Sequence, residues 1–269
     1  MLTEQQIQDN YQRIINFIDN TFNGERRERL LKLYDTFSER VALSPASNRV
    51  NFHSCFVGGY VYHVLNVIEA GKKVSDLWSS FSGVKNYTDE ELNFVTLNHD
   101  LGKIGNLDYE YYIPATDDWK IKKGTQFDFT EELPYMKTQD RSIFLLQHFG
   151  IKMTENEFVS IKLHDGLYDE GNKAYLVTYE PKYRLRSMLP YIAHWADMMA
   201  FKKEYYEWEN SLDGQKFLKG INGDTYQKKV NKPKKTLEQS FKNAEPNALS
   251  IDDFNKIFGE FNNDKKMEE

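Results

Sequence analysis

Apolar positions recur along most of this chain with the period of an α-helix. In "TEQQIQDNYQRIINFIDNTF" they fall every three or four residues, and Thr3 with Gln6 forms a capping-box pattern at the start. Gly24 breaks this helix, and "ERRERLLKLYDTFSERVAL" predicts a second amphipathic helix closed by "SPAS". Residues 56–74, "FVGGYVYHVLNVIEAGKKV", are apolar nearly all round, the pattern of a central buried helix. "DEELNFVTLNHDLGK" predicts another helix, with acidic residues in its first turn. The period then changes. "YEYYIPATDDWKIKKGTQFDF" is aromatic and β-branched around a polar turn, which predicts an inserted hairpin over about residues 109–130. "RSIFLLQHFG" and "TENEFVSIKLHDG" return to helix, the second with Thr154 and Glu157 as a capping box and Gly166 as its stop. "SMLPYIAHWADMMAFKKEYYEWEN" predicts the last long helix, with Pro190 best placed in its first turn.

Beyond Gly223 the pattern stops. Residues 224–245 contain "QKKVNKPKKT", a lysine-rich linker whose simplest state is solvated and flexible. Residues 246–269 hold "LSIDDFNKIFGEFNND", with Ser250 and Asp253 as a cap and an apolar stripe of Phe254, Ile257, Phe258 and Phe261. Such a helix either packs back on the domain or serves as a tethered docking element for another subunit or partner. The expected fold is therefore mainly α, with an inserted β-hairpin and a C-terminal helical tail. No internal repeat is visible.

Composition narrows the chemistry. The chain has 269 residues, 40% of them hydrophobic and 28% charged, enough to fill a sizeable core in a soluble protein. It shows no apolar run of membrane-spanning length and no basic-then-apolar leader, so the cytoplasm is the expected location. Cys55 is the only cysteine, which excludes an internal disulfide or a thiolate cluster. A metal would have to be held by histidines and carboxylates, a donor set that suits Mn, Fe, Mg, Co or Ni better than structural zinc. The net charge of −6 argues against wholesale binding of duplex nucleic acid, though a local basic groove escapes that objection.

The six histidines then carry the chemistry. His63 lies inside the all-round apolar helix, where an unpaired imidazole is costly. His99 and Asp100 end a helix in "NHDLGKIG", and His164 stands at another helix end near Gly166. His194 and Asp197 are three residues apart and share a helix face. Taken singly, each histidine is more often a satisfied core or surface residue than a ligand. Together they match the way helix bundles assemble metal sites from inward-facing side chains of several helices.

The order His63, His99-Asp100, Asp197 resembles the signature of the HD-domain metal-dependent phosphohydrolase superfamily. The resemblance covers roughly residues 49–200 and rests on four blocks in order: "GGYVYHVLNV", "NHDLGK", "MTENEFVSIKLHDG" and "HWADMMA". It implies an HD helical bundle spanning 1–223, with N-terminal helices over 1–48 and an HD core over 49–209. It also implies one divalent metal on His63, His99, Asp100 and Asp197. One departure stands out. In the branch that the "MTENEFVSIKLHDG" block resembles, a histidine usually precedes the helix equivalent to "RSIFLLQ", whereas this chain has "MKTQDRS" there. His164 and His194 are left for a second metal site, which looks incomplete.

The chemistry implied is hydrolysis of a phosphoester or phosphoanhydride by metal-activated water, with Asp100 at its centre. Lys103, one turn beyond His99 and part of the resemblance, is placed to reach a substrate phosphate; the alternative is a solvated lysine at a helix end. Arg49 and His53 precede the first ligand helix, at the expected mouth of the pocket, and either grip phosphate or pair with a carboxylate. Asp165 is a candidate proton-transfer group or a loop cap. In the hairpin, Tyr111, Tyr112, Trp119, Lys120, Lys122 and Lys123 interleave rings and charge. That pattern suits base stacking and phosphate contact, and equally suits an amphipathic hairpin covering the core. The substrate expected first is a nucleotide: a deoxynucleoside mono- or triphosphate, or a cyclic or short oligonucleotide. The alternatives are a 3′-to-5′ single-strand exonuclease and a degenerate HD domain that binds a nucleotide or partner without turnover. Self-association or a partner through the C-terminal helix is left open.

Overall fold

Three threonine caps set the frame. Thr3, Thr88 and Thr154 each accept a bond from the backbone N–H three residues on, and Gln6, Glu91 and Glu157 bond back to them. These reciprocal bonds satisfy donors that a helix start leaves orphaned. The computed structural model describes residues 2–222. The chain divides into two compact units, Met1–Leu218 and Lys219–Glu269. The expected lysine-rich linker (224–245) and C-terminal helix (246–269) lie outside the described residues.

The fold is mainly helical. α1 (Glu4–Thr21), α2 (Gly24–Thr36) and α3 (Ser38–Leu43) lead to the long α4 (Gly59–Ser82) and to α5 (Asp89–Asn98). The short antiparallel strands β1 (Tyr112–Pro114) and β2 (Phe127–Phe129) follow, with α6 (Asp118–Lys122) between them. Next come α7 (Thr138–His148), α8 (Glu155–Leu163), the short α9 (Lys173–Leu176), α10 (Leu189–Asn210) and α11 (Leu212–Asn222). α4 occupies the centre and packs against α10, α5, α1 and α3, while α8 packs against α10, α5 and α7. Ile14 and Ile18 of α1, Leu30 and Leu33 of α2, Val61 and Val64 of α4 and Ile192 of α10 meet in one buried core. Each such side chain contributes about 1.5–3 kcal/mol relative to exposure.

Three expectations from the pattern need correction. The second helix is two helices, broken at Phe37 (φ −109°, ψ 25°), whose ring packs edge-on against Phe149 at 5.8 Å. The central helix starts at Gly59, later than the apolar run, and continues to Ser82. The middle of the hairpin is a short helix rather than a bare turn, because the Asp117 carboxylate accepts from the Trp119 and Lys120 N–H groups at 2.7 and 3.1 Å. Pro190 does sit in the first turn of α10. No described helix is long and apolar enough to cross a membrane.

The hairpin is fastened by a buried arginine. The Arg141 guanidinium donates to the carbonyls of Gly102, Pro134 and Met136 at 3.2–3.3 Å and lies 4.7 Å from the centre of the Tyr111 ring. α5 and α8 are tied at their starts as well. The Thr154 hydroxyl and the Asn156 amide both donate to Glu91, at 2.8 and 3.2 Å. Arg26 of α2 bonds Glu90 at 3.0 Å and the buried Glu157 at 2.7 Å. With their first turns joined, the two helices run side by side and deliver their last residues to the same place.

Candidate metal centre

α5 and α8 end alike, in a histidine followed by an aspartate: His99-Asp100 and His164-Asp165. Each histidine is the C-cap of its helix and folds back on its own last turn. His99 Nδ1 donates to the Thr96 carbonyl at 2.9 Å, and His164 Nδ1 to the Ile161 carbonyl at 2.8 Å. A carbonyl can only accept, so both rings carry their proton on Nδ1, and in the neutral form Nε2 is a bare lone pair. The ring centres are 5.0 Å apart.

His63 arrives from α4. The Gly58-Gly59 pair lets the preceding loop fold tightly onto the helix start: Gly58 has φ +84°, and a Cβ on Gly59 would lie 1.9 Å from the Ser54 carbonyl oxygen. This brings Ser54 to Glu204 of α10, its hydroxyl donating to the carboxylate at 2.6 Å. The same carboxylate accepts from Asn66 Nδ2 at 2.8 Å and from His63 Nδ1 at 3.1 Å. His63 is thereby turned so that its Nε2 points the opposite way, to 3.4 Å from His99 Nε2.

Two carboxylates close the cluster. Asp197 of α10 places Oδ1 3.1 Å from His63 Nε2 and 3.9 Å from His99 Nε2. Asp100 places Oδ2 3.6 Å from each of those nitrogens and Oδ1 3.6 Å from His164 Nε2. The Lys103 ammonium sits on Asp100 Oδ2 at 2.6 Å. His63, His99, Asp100 and His164 are buried, whereas Asp197 and Asp165 keep 21% and 40% of their side chains exposed and so mark the open side.

Among the described residues the ligand atoms of His63, His99 and Asp100 lie within 4.8 Å of one another, as do those of His164, Asp165 and Asp197. The donor set suits a divalent metal. Bare imidazole nitrogens facing one another beside two carboxylates repel unless a cation lies among them, and nitrogen with oxygen is the choice of a borderline divalent ion. Without metal, protons supply that charge. Burial pushes His63 down, but Glu204 and Asp197 outweigh it and raise it to about 10. His164 is likewise pushed down by burial and lifted to about 10 by Asp165 and Asp100. Burial instead prevails at His99, which falls to about 4. Burial opposes ionisation of Asp100, yet Lys103 and the neighbouring histidines hold it well below the usual carboxylate range. Asp197 is held low in the same way, against burial, chiefly by His63.

The remaining sequence candidates divide. The ring centre of His53 stands 4.6 Å from that of His63 and 5.2 Å from that of Phe201. Its buried Nε2 has no hydrogen-bond partner, and burial lowers its pKa to about 3. His194 does not join His164 as a ligand pair. Its Nδ1 donates to the His164 carbonyl at 2.8 Å, and His164 is grouped with Asp165 and Asp197 instead. Arg49 is engaged with the hairpin, donating to the Lys123 carbonyl at 3.2 Å, with its guanidinium 5.9 Å from the Phe52 ring. Trp119, 68% exposed, and Lys122, also exposed, lie on α6.

Glu204 is the residue that sequence reasoning missed. It lies seven residues after Asp197, two turns along the same helix face, so a signal was present in the spacing. A carboxylate on the far nitrogen of a ligating histidine fixes its tautomer and raises its basicity. Searches of family models, of curated proteins and of solved structures find no match to this chain.

Proposed function

We propose that this protein is a metal-dependent phosphohydrolase of the HD type acting on a nucleotide. The observation that carries the reading is the convergence of His63 Nε2 and His99 Nε2, 3.4 Å apart, on the carboxylates of Asp100 and Asp197. A divalent ion held by these four residues lowers the pKa of water towards ~7 and polarises a phosphoryl oxygen.

The chain's own residues do the rest. Lys103 puts a positive charge beside Asp100, where it also attracts a substrate phosphate. Asp165, on the open side, is placed to accept a proton from an incoming water or to return one to the leaving oxygen. His53 offers an unpaired Nε2 next to His63 for a hydrogen bond to bound substrate. Glu204 holds His63 in the tautomer that presents Nε2. The buried histidines keep bulk water from the inner side of the cluster, so attack comes from the side of Asp165 and Asp197. The substrate class is a deoxynucleoside mono- or triphosphate, or a cyclic or short oligonucleotide.

The test is the metal content of purified protein, paired with phosphate release from mono-, tri- and cyclic nucleotides and a short single strand in added Mn²⁺. Bound metal and turnover of one class, lost in Asp100→Ala, are expected. Bound metal with no turnover across the panel overturns the hydrolase reading in favour of a binding domain. No metal under any condition overturns the site.

A further inference from the structure

The loop leaving α8 lines a cavity directly after the second His-Asp pair. Gly166 follows Asp165 with φ +57°, and the His194 imidazole lies flat against it: a Cβ on Gly166 would come within 2.3–2.7 Å of the ring atoms. The cavity encloses about 350 Å³. Leu167, Tyr168 and Leu176 line it from the loop, and Pro190, Tyr191 and His194 from the start of α10. Its volume falls within the roughly 300–1,000 Å³ of small-molecule pockets. Leu167 and Tyr168 are 58% and 78% exposed, so the cavity's loop wall presents uncovered apolar surface.

This wall adjoins the candidate metal centre along the chain. Gly166 adjoins Asp165, His194 lies one helical turn before Asp197, and the His194 ring is pinned to the His164 carbonyl at 2.8 Å. With Nδ1 committed as donor, the neutral ring keeps Nε2 as an acceptor. Flat walls of proline, tyrosine and imidazole with one acceptor match a planar heterocycle that stacks and offers an N–H at its edge. A sugar phosphate alone would leave those apolar walls without a partner.

We propose that this cavity receives the nucleobase of the substrate, whose phosphate lies beside Asp165 and Asp197. The inference rests on the nucleotide reading above and assigns His194 to base recognition rather than to metal. It makes Tyr168, Tyr191 and Leu167 the residues that distinguish a nucleotide from a bare sugar phosphate.

The experiment separates base binding from hydrolysis. Adenosine, guanosine, cytidine and thymidine, which carry no phosphate, are titrated singly to millimolar concentration into the full chain in chelator, with backbone amide NMR as readout. At least one is expected to shift the amides of Gly166, Leu167 and Tyr168 saturably. In Leu167→Asp, a change at an exposed position, that binding is expected to weaken at least tenfold while Mn²⁺ affinity stays unchanged. His194→Phe, which keeps a flat ring but removes the acceptor, is expected to weaken binding less than Leu167→Asp. If no nucleoside shifts these amides, or Leu167→Asp binds as the parent does, the base pocket is wrong, whatever the phosphate-release panel shows. If nucleosides bind here and no nucleotide is hydrolysed, the pocket stands and the hydrolase reading fails.

Discussion

Two lysine–aspartate pairs of nearly equal length sit in very different parts of the molecule. Lys103 and Asp100 meet at 2.6 Å beside the candidate metal centre, with 13% and 5% of their side chains exposed. Lys120 and Asp128 meet at 2.9 Å across the hairpin, with 47% and 28% exposed. In the hairpin, water and salt screen both charges, and losing either one changes little. At the bundle centre neither charge can be removed without stranding the other in a medium that does not solvate it. The difference lies in the packing: α5, α8, α4 and α10 bury their polar groups together, while α6 of the hairpin leaves Trp119 and its lysines in solvent.

The sharpest way to break this contrast is Asp100→Ala. It removes a candidate metal ligand that lies 3.6 Å from three histidine nitrogens and leaves the Lys103 ammonium buried without its partner. The expected result is loss of bound metal together with a loss of stability of about 3–5 kcal/mol, the usual consequence of opening a buried ion pair. Urea unfolding in chelator reads the second effect independently of the first. A variant that keeps both its metal and its unfolding midpoint would show that Asp100 neither holds metal nor balances a buried Lys103 charge.

Next comes Glu204→Gln, which changes one atom of the carboxylate that holds His63. The amide oxygen still accepts from Asn66 and from His63 Nδ1, which meet the same carboxylate oxygen at 2.8 and 3.1 Å, while the amide nitrogen faces the Ser54 hydroxyl. His63 keeps its proton on Nδ1 but loses the negative charge behind it, so its Nε2 becomes a less basic ligand. Metal affinity is expected to fall about 10–100-fold, as for other carboxylates behind ligating histidines. Titration of the His63 ring in chelator, followed by nitrogen chemical shifts, reads the lost charge without reference to turnover, and an unchanged titration would remove Glu204 from the site.

A third effect is the pH dependence of the metal-free protein, in which the buried histidines pull in opposite directions. His63 and His164 are raised to about 10, so their contribution is complete below the unfolded value near 6.5 and is lost as pH rises from 6.5 towards 10. His53 and His99 are lowered to about 3 and about 4, so the unfolded chain takes up protons that the folded one refuses as pH falls below 6.5. Stability in chelator is therefore expected to peak near pH 6.5 and to fall on both sides, as read by urea midpoints at pH 5, 6.5 and 8.5. Saturating Mn²⁺ should flatten the alkaline limb, because an ion on the four proposed ligands takes the place of the proton on His63. A monotonic profile in chelator would contradict the charges assigned to the cluster.

Much of the centre was legible because its residues hold positions that local sequence fixes. His99 and His164 end helices whose starts are marked by capping boxes, and Asp197 lies within a proline-started helix, so type and placement could be read together. Glu204 was not legible for a different reason. A seven-residue spacing from Asp197 also links many ordinary pairs, and its partner Ser54 lies 150 residues away in sequence. The break at Phe37 was hidden because the amphipathic pattern continues across it, and the contact with Phe149 is non-local. His194 shares a face with Asp197, as the spacing required, but spacing says nothing of which carbonyl its ring will meet.

The smallest effect tests the other half of the comparison. Trp119 is 68% exposed on α6, and that short helix draws its cap from Asp117 rather than from the tryptophan. Trp119→Ala is therefore expected to change stability by no more than about 0.5 kcal/mol, as for a surface position with no cap, cavity or buried bond at stake. Metal affinity should be unaltered. The informative readout is KM, compared between a mononucleotide and a short single strand. An equal KM for both, before and after the substitution, makes the hairpin a cover for the core. A rise confined to the single strand, where base stacking contributes about 1–3 kcal/mol per base, would make the hairpin a platform for chain beyond the hydrolysed end. The contrast between buried centre and solvated hairpin would then separate catalysis from substrate length rather than function from scaffold.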